Sequence, residues 1–170
     1  MSATWIILGG SSAMARAFAR ALAARGDAVL LAGRDVDDLA ATAADCRLRG
    51  APMAEALAFD ARDPAGFAPI LDRLAETEGE ISAAVFTGSM PPQAEIDADP
   101  GLIDGVVADS FTGPARFLQA LAPLIEARGR GAIVGLGSVA GDRGRLGNYV
   151  YGAAKAGFHT YLSGLRNRLG

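Results

Sequence analysis

The sequence predicts an α/β chain, a doubly wound parallel sheet lying between two layers of helices. Three observations predict it. Short apolar runs alternate with long Ala/Leu/Arg segments of helical spacing along the whole 170 residues. Those runs are apolar at consecutive positions, as strands covered on both faces are. The helical segments between them are long enough to act as crossovers, and such crossovers wind right-handed.

The elements follow in order. "TWIILGG" (4–10) is a β-rich run that ends in glycines, and "SAMARAFARALAARGD" (12–27) has helical spacing and stops at Gly26. "AVLLAGR" (28–34) reads as a strand. "DVDDLAATAADCRLRG" (35–50) begins with Asp35 as a helix cap and ends at Gly50. "MAEALAFD" (53–60) is a weaker strand. "DPAGFAPILDRLAETEG" (63–79) opens on a capping Asp63 with Pro64 at the first helical position. "ISAAVFTG" (81–88) is a strand, and a Pro-rich loop is expected at 89–95. One long helix is expected from about 99 to 128, with Pro114 inside it. "GAIVGLGSVAG" (131–141) reads as a buried strand running into a glycine-rich loop, and a last helix runs from about Asn148 to Leu169. In such sheets ligands collect at the carboxyl ends of the strands, near the point where the strand order reverses.

The totals fit one domain, residues 1–170. Hydrophobic residues make up 51% and charged residues 21%, an ordinary globular balance. The net charge of −3, from 16 basic and 19 acidic residues, gives no electrostatic reason to expect nucleic acid or an anionic membrane. Cys46 is the only cysteine, so no internal disulfide forms and a reducing, cytoplasmic location is expected. No apolar stretch approaches the roughly 18 residues of a membrane span. No His/Cys/Asp/Glu group has metal-ligand spacing, and no metal is expected.

Two stretches carry chemistry. "ILGGSSAMARAFA" joins the first strand to the first helix. The N–H groups at that helix start suit a pyrophosphate, although an ordinary strand-to-helix turn would look similar. In "YVYGAAKAGF", Tyr151 and Lys155 stand four apart on a helix and so share a face. An ammonium beside a phenol favours the phenolate and brings the proton nearer working pH. Ser138, thirteen residues before Tyr151 at a strand end, is placed to hold a substrate oxygen in line with the phenol.

Together, "GGSSAMA" (9–15), "AGRD" (32–35), "FD" (59–60), "FTG" (86–88), "SFTGP" (110–114) and "GSVAG" with "YVYGAAKAG" (137–157) resemble the short-chain dehydrogenase/reductase family, whose domain is a Rossmann fold. The resemblance implies an NAD(P)-dependent oxidoreductase that interconverts a ketone and a secondary alcohol. It implies Tyr151 as general acid/base, Lys155 as the cation beside it and on the nicotinamide ribose, Ser138 on the substrate carbonyl, and Ser110 in a proton relay. For the cofactor it implies Gly9, Ser11, Ser12, Ala13 and Met14 at the pyrophosphate. It places Asp60 and Ala61 at the adenine, and Thr87 and Gly88 beside the adenosine. Arg34, just past the second strand, suits the 2′-phosphate of NADP, with NAD as the alternative; the competing reading pairs Arg34 with Asp35 or Asp37. A homodimer or homotetramer through 99–128 and 149–169 is also implied.

The chain departs from the family pattern in places. Ala13 and Ala15 replace glycines, Thr87 stands where the family has asparagine amides, and Ser110 stands where it has an asparagine that holds a water. Members commonly continue past this point with a further strand and substrate-covering helices, so the 170 residues alone are expected to reduce poorly. These departures support an alternative, a catalytically impaired NADP-binding or scaffold protein on the same fold. His159 is expected at the surface or an interface, Trp5 in strand packing, Cys46 unreactive, and Asp142, Arg143 and Arg145 in a solvated loop.

Overall fold

The computed structural model describes residues 3–170. Five parallel strands form one sheet in the order β3-β2-β1-β4-β5. They are β1 (Thr4–Leu8), β2 (Ala28–Gly33), β3 (Ala54–Ala58), β4 (Ile81–Val85) and β5 (Ile133–Gly135). The order reverses between β1 and β4, where Leu8 stands opposite Val85 and, on the other side, Ala32. This is a Rossmann-like sheet.

The strands are apolar throughout because both faces are covered. Trp5, Ile7, Val29, Leu31 and Ala84 pack under α1 (Ala13–Ala24) and α2 (Val36–Leu48). Ile6, Leu8, Leu30, Ile81, Ala83 and Val85 pack on the opposite side under α3 (Ala68–Ala75) and the later helices. Each such aliphatic side chain contributes about 1.5–3 kcal/mol by leaving water. Trp5 meets Phe18 edge to face at 5.3 Å between ring centroids. Cys46 is buried among the α2 contacts, and burial pushes its thiol up, away from reactivity.

The expected caps form: Asp35 accepts the Asp38 N–H and Asp63 the Ala65 N–H. Ser12, not singled out as a cap, accepts the Ala15 N–H. The chain turns past α1 at Gly26, φ 83°. After Asp63 the first turn is a 3-10 turn, Pro64–Phe67, and α3 ends at Ala75, earlier than expected.

Helix begins inside the expected loop, with α4 (Gln93–Ala98) starting right after Pro92. This short helix stops at Asp99-Pro100, since the residue before a proline is pushed out of helical geometry. The expected long helical segment then runs unbroken from Leu102 to Arg128, as α5 (Leu102–Val107), a π turn over Ala108–Thr112, and α6 (Gly113–Arg128). A proline at 114 has no N–H and its ring presses on the carbonyl four residues back, so the wide turn relieves that crowding. The fifth strand is also short. Its ladder to β4 ends with the Leu136 N–H on the Val85 carbonyl, and the chain then leaves the sheet. The last helix, α7 (Tyr149–Leu169), runs as expected. Among the described residues, no helix is long and apolar enough to cross a membrane.

Candidate active site and cofactor cleft

The carboxyl ends of β1 to β4 frame a cleft of about 230 Å³. Of the residues expected to hold a cofactor, Gly9, Ser11, Ser12, Arg34, Asp60, Ala61, Thr87 and Gly88 line it. Ala13 and Met14 open α1 with exposed side chains and do not line it. Their N–H groups, and that of Ser11, bond to no acceptor among the described residues. The Ser12 hydroxyl oxygen accepts the Ala15 N–H, which leaves its own proton to donate. Gly9 has φ 77°, and a Cβ there would lie 2.9 Å from the Phe86 carbonyl carbon, so the turn and the end of β4 meet backbone to backbone.

Thr87 Oγ1 is buried without a partner at the cleft wall. Arg34 is exposed and forms no salt bridge with Asp35 or Asp37 among the described residues; its charge acts on Asp109, in the same cleft. Asp35 is occupied with the Asp38 N–H, and Asp38 with Arg16. Free helix-start donors at the cleft mouth, an unpartnered hydroxyl and a guanidinium without a salt bridge fit a phosphate-bearing dinucleotide.

The cleft also contains residues that the sequence did not single out, chiefly Asp109. Arg62 holds the Asp109 carboxylate through two hydrogen bonds of 2.8 and 2.7 Å. Burial alone would raise that carboxyl; the guanidinium overrides it and keeps it below the ordinary aspartate value. The only cue was its place beside Ser110.

Beyond the β4 end of the cleft, α7 and the turn after β5 meet at very short range. A Cβ on Gly152 would lie 2.5 Å from the Ala140 carbonyl oxygen, and one on Gly141 2.9 Å from the Ala156 nitrogen. Backbone contact of this kind seats the turn carrying Ser138 on α7 at Gly152 and Ala156, each one residue on from Tyr151 and Lys155. The Ser138 hydroxyl oxygen accepts the Ala140 N–H at 3.2 Å, which leaves its own proton for an outside acceptor. Tyr151 is half-buried and packs against Ile96, Val106 and Val150.

Lys155 is 3% exposed. Its ammonium donates to the carbonyls of Thr87 at 3.2 Å and Leu136 at 3.0 Å, tying the ends of β4 and β5 to α7. It lies 5.9 Å from the Tyr151 ring centroid. Burial pushes it below the ordinary lysine value. Ser110 is fully buried; its hydroxyl accepts the Ser89 N–H at 3.3 Å. A Cβ on Gly88 would touch both Ser110 Oγ and Lys155 Nζ, at 3.4 and 3.5 Å. The serine and the lysine thus both flank Gly88, and the serine is bonded to main chain.

Gln93 and Asp97 were not legible as site residues. Asn148 makes no side-chain cap for α7; the Gln93 amide oxygen accepts the Val150 N–H at 3.3 Å instead. Gln93 also donates to Asp97 at 3.0 Å, and Asp97 accepts the Tyr149 hydroxyl. His159 is half-buried rather than at the surface and accepts the Ser138 N–H.

A family model described as short chain dehydrogenase matches residues 3–170. The chain belongs to the short-chain dehydrogenase family. Members of this family are oxidoreductases that bind nicotinamide cofactors and act on small molecules. An uncharacterized oxidoreductase of Mycobacterium tuberculosis is 38% identical over 96% of this chain and 66% of its own. Sulfoacetaldehyde reductase 2 of Chromohalobacter salexigens is 30% identical over 98% of this chain and 66% of its own. The chain thus spans just under two thirds of the length of these relatives. Among solved structures, a bulky-bulky ketone specific alcohol dehydrogenase from Comamonas testosteroni superposes with a TM-score of 0.86, at 27% identity, over 100% of this chain and 68% of that one. A short-chain dehydrogenase from Sphingobium yanoikuyae in complex with NADPH superposes with a TM-score of 0.80, at 30% identity, over 99% of this chain and 66% of that one.

Proposed function

We propose that this chain is the cofactor-binding and catalytic part of an NADP-dependent oxidoreductase that interconverts a ketone and a secondary alcohol. The observation that carries the reading is the backbone-to-backbone seating of the Ser138 turn on α7, beside Tyr151 and Lys155. The bound nicotinamide supplies or accepts the hydride. Tyr151 gives its proton to the carbonyl oxygen, or takes one from the alcohol. Ser138 donates its free hydroxyl proton to the same oxygen and holds it in line. Lys155, fixed by two carbonyls, places positive charge where negative charge develops on oxygen. Ser110, which flanks Gly88 with Lys155, is the polar group through which the lysine's proton is exchanged. Arg34 takes the 2′-phosphate, Asp60 the adenine edge, and the α1 start the pyrophosphate. The relative solved with NADPH and the lack of a salt bridge from Arg34 to Asp35 or Asp37 support NADP over NAD. Pairing of two copies through α6 and α7 and a reducing, cytoplasmic location complete the reading.

The test combines binding and turnover. NADPH is titrated against intrinsic fluorescence, and its oxidation is followed with a panel of ketones. Tyr151→Phe is expected to cut turnover by roughly 10²–10⁴-fold, the usual worth of a positioned acid/base, while NADPH affinity stays within about twofold. Equal turnover in the variant would refute the role of Tyr151. NADPH binding without turnover in the unaltered chain favours the scaffold reading, which the departures at Thr87 and Ser110 keep in view.

A further inference from the structure

We propose that His159 is a positioning residue for Ser138: its Nε2 accepts the Ser138 N–H, and its ring fills the space that Gly137 and Gly141 leave open. The inference rests on the role given above to Ser138. Three observations carry it. The Ser138 nitrogen lies 3.1 Å from His159 Nε2, across 21 residues of sequence. A Cβ on Gly137 would overlap that same nitrogen, and a Cβ on Gly141 would lie 3.2 Å from His159 Cε1. The turn is therefore wrapped around the imidazole, with side chains missing where the ring sits.

The sheet offers Ser138 no alternative. The ladder between β4 and β5 ends at the Leu136 N–H, two residues earlier. Without His159 the Ser138 amide has no protein acceptor, and the extended Ser138 backbone, φ −153° and ψ 138°, loses its anchor. That backbone presents the hydroxyl to Ala140 and leaves its proton directed outward. A backbone N–H always donates, so His159 Nε2 must be the unprotonated nitrogen of a neutral ring, with the proton on Nδ1. His159 does not line the cleft; it acts through Ser138.

The experiment uses the fact that His159 is the only histidine in the chain. In the ¹⁵N-labelled protein its ring signals are unambiguous. The expected spectrum shows an unprotonated Nε2 and a scalar coupling across the hydrogen bond to the Ser138 amide. In His159→Leu the Ser138 amide is expected to exchange with solvent roughly tenfold faster, the worth of one lost hydrogen bond. In His159→Gln, whose amide oxygen reaches the same place, protection is expected to return. Turnover should follow the same order, with kcat lower in the leucine variant, restored in the glutamine variant, and KM for NADPH unchanged. A neutral ring protonated on Nε2, or a Ser138 amide equally protected in the leucine variant, overturns the proposal. The spectroscopic outcomes do not depend on activity, so a chain that shows the hydrogen bond yet turns nothing over counts against the proposed function and not against this contact.

Discussion

Arg34 lies in a cleft with acids nearby and forms no salt bridge with them, although its charge helps to hold the Asp109 carboxyl low. Its neighbours are occupied: Asp35 caps α2, Asp38 holds Arg16, and Asp109 holds Arg62. A guanidinium without a salt bridge beside helix-start N–H groups is available for a phosphate. Arg34→Ala should weaken NADPH binding about tenfold or more, the worth of one charge-assisted contact of about 1.5–3 kcal/mol. NADH affinity should change little; equal losses for both cofactors would remove Arg34 from the 2′-phosphate. At this scale legibility follows locality. Tyr151 and Lys155 were readable because four residues on a helix are always neighbours. His159 was not, because its partner is a backbone N–H from a distant turn, and a backbone group leaves no mark in sequence. Glycines at 137 and 141 were the only trace.

Elements show where tertiary contact overrides local preference. The helical segment expected over 99–128 starts at Leu102, beyond Pro100, and widens into a π turn ahead of Pro114, which has no N–H for the α ladder. The wide turn has a consequence for the cleft. A Cβ on Gly113 would overlap the Ala61 carbonyl oxygen and lie 2.8 Å from the Ala108 carbonyl oxygen. Gly113→Ala should therefore cost roughly 1–3 kcal/mol by forcing α6 off the Asp60-Ala61 edge. A denaturant midpoint equal to that of the unaltered chain would show that the two elements can separate freely. Lys155 ties three elements, and its burial yields a pH prediction. Its folded value lies below the ordinary 10.5, so over the alkaline interval between the two the unfolded chain binds more of this proton. Stability from this group then rises with pH across that interval and is flat above it. The melting temperature of the unaltered chain minus that of Lys155→Met should climb over the same interval. A difference that stays constant contradicts the burial cost assigned to the ammonium.

The whole molecule brings together strand ends that are far apart in sequence. Gly9, Arg34, Asp60 and Thr87 come from four different strands and share one cleft. NADPH at a hundred times its Kd should stabilise the chain by about 2.7 kcal/mol, read as a higher melting temperature, and NADH at the same concentration should do less. No shift with either cofactor would set aside both the oxidoreductase and the scaffold readings.

The sequence by itself determined the order of strands and helices, the caps at Asp35 and Asp63, and the shared face of Tyr151 and Lys155. These depend on periodicity and on hydrogen bonds spanning a few residues, which the chain carries locally. Only the tertiary structure decided that Gln93 caps the start of α7, that Asp109 enters the cleft with Arg62, and that His159 holds Ser138. Each of those contacts joins groups from separate elements. Their approach is set by sheet twist, glycine gaps and the π turn, none of which has a fixed spacing along the chain.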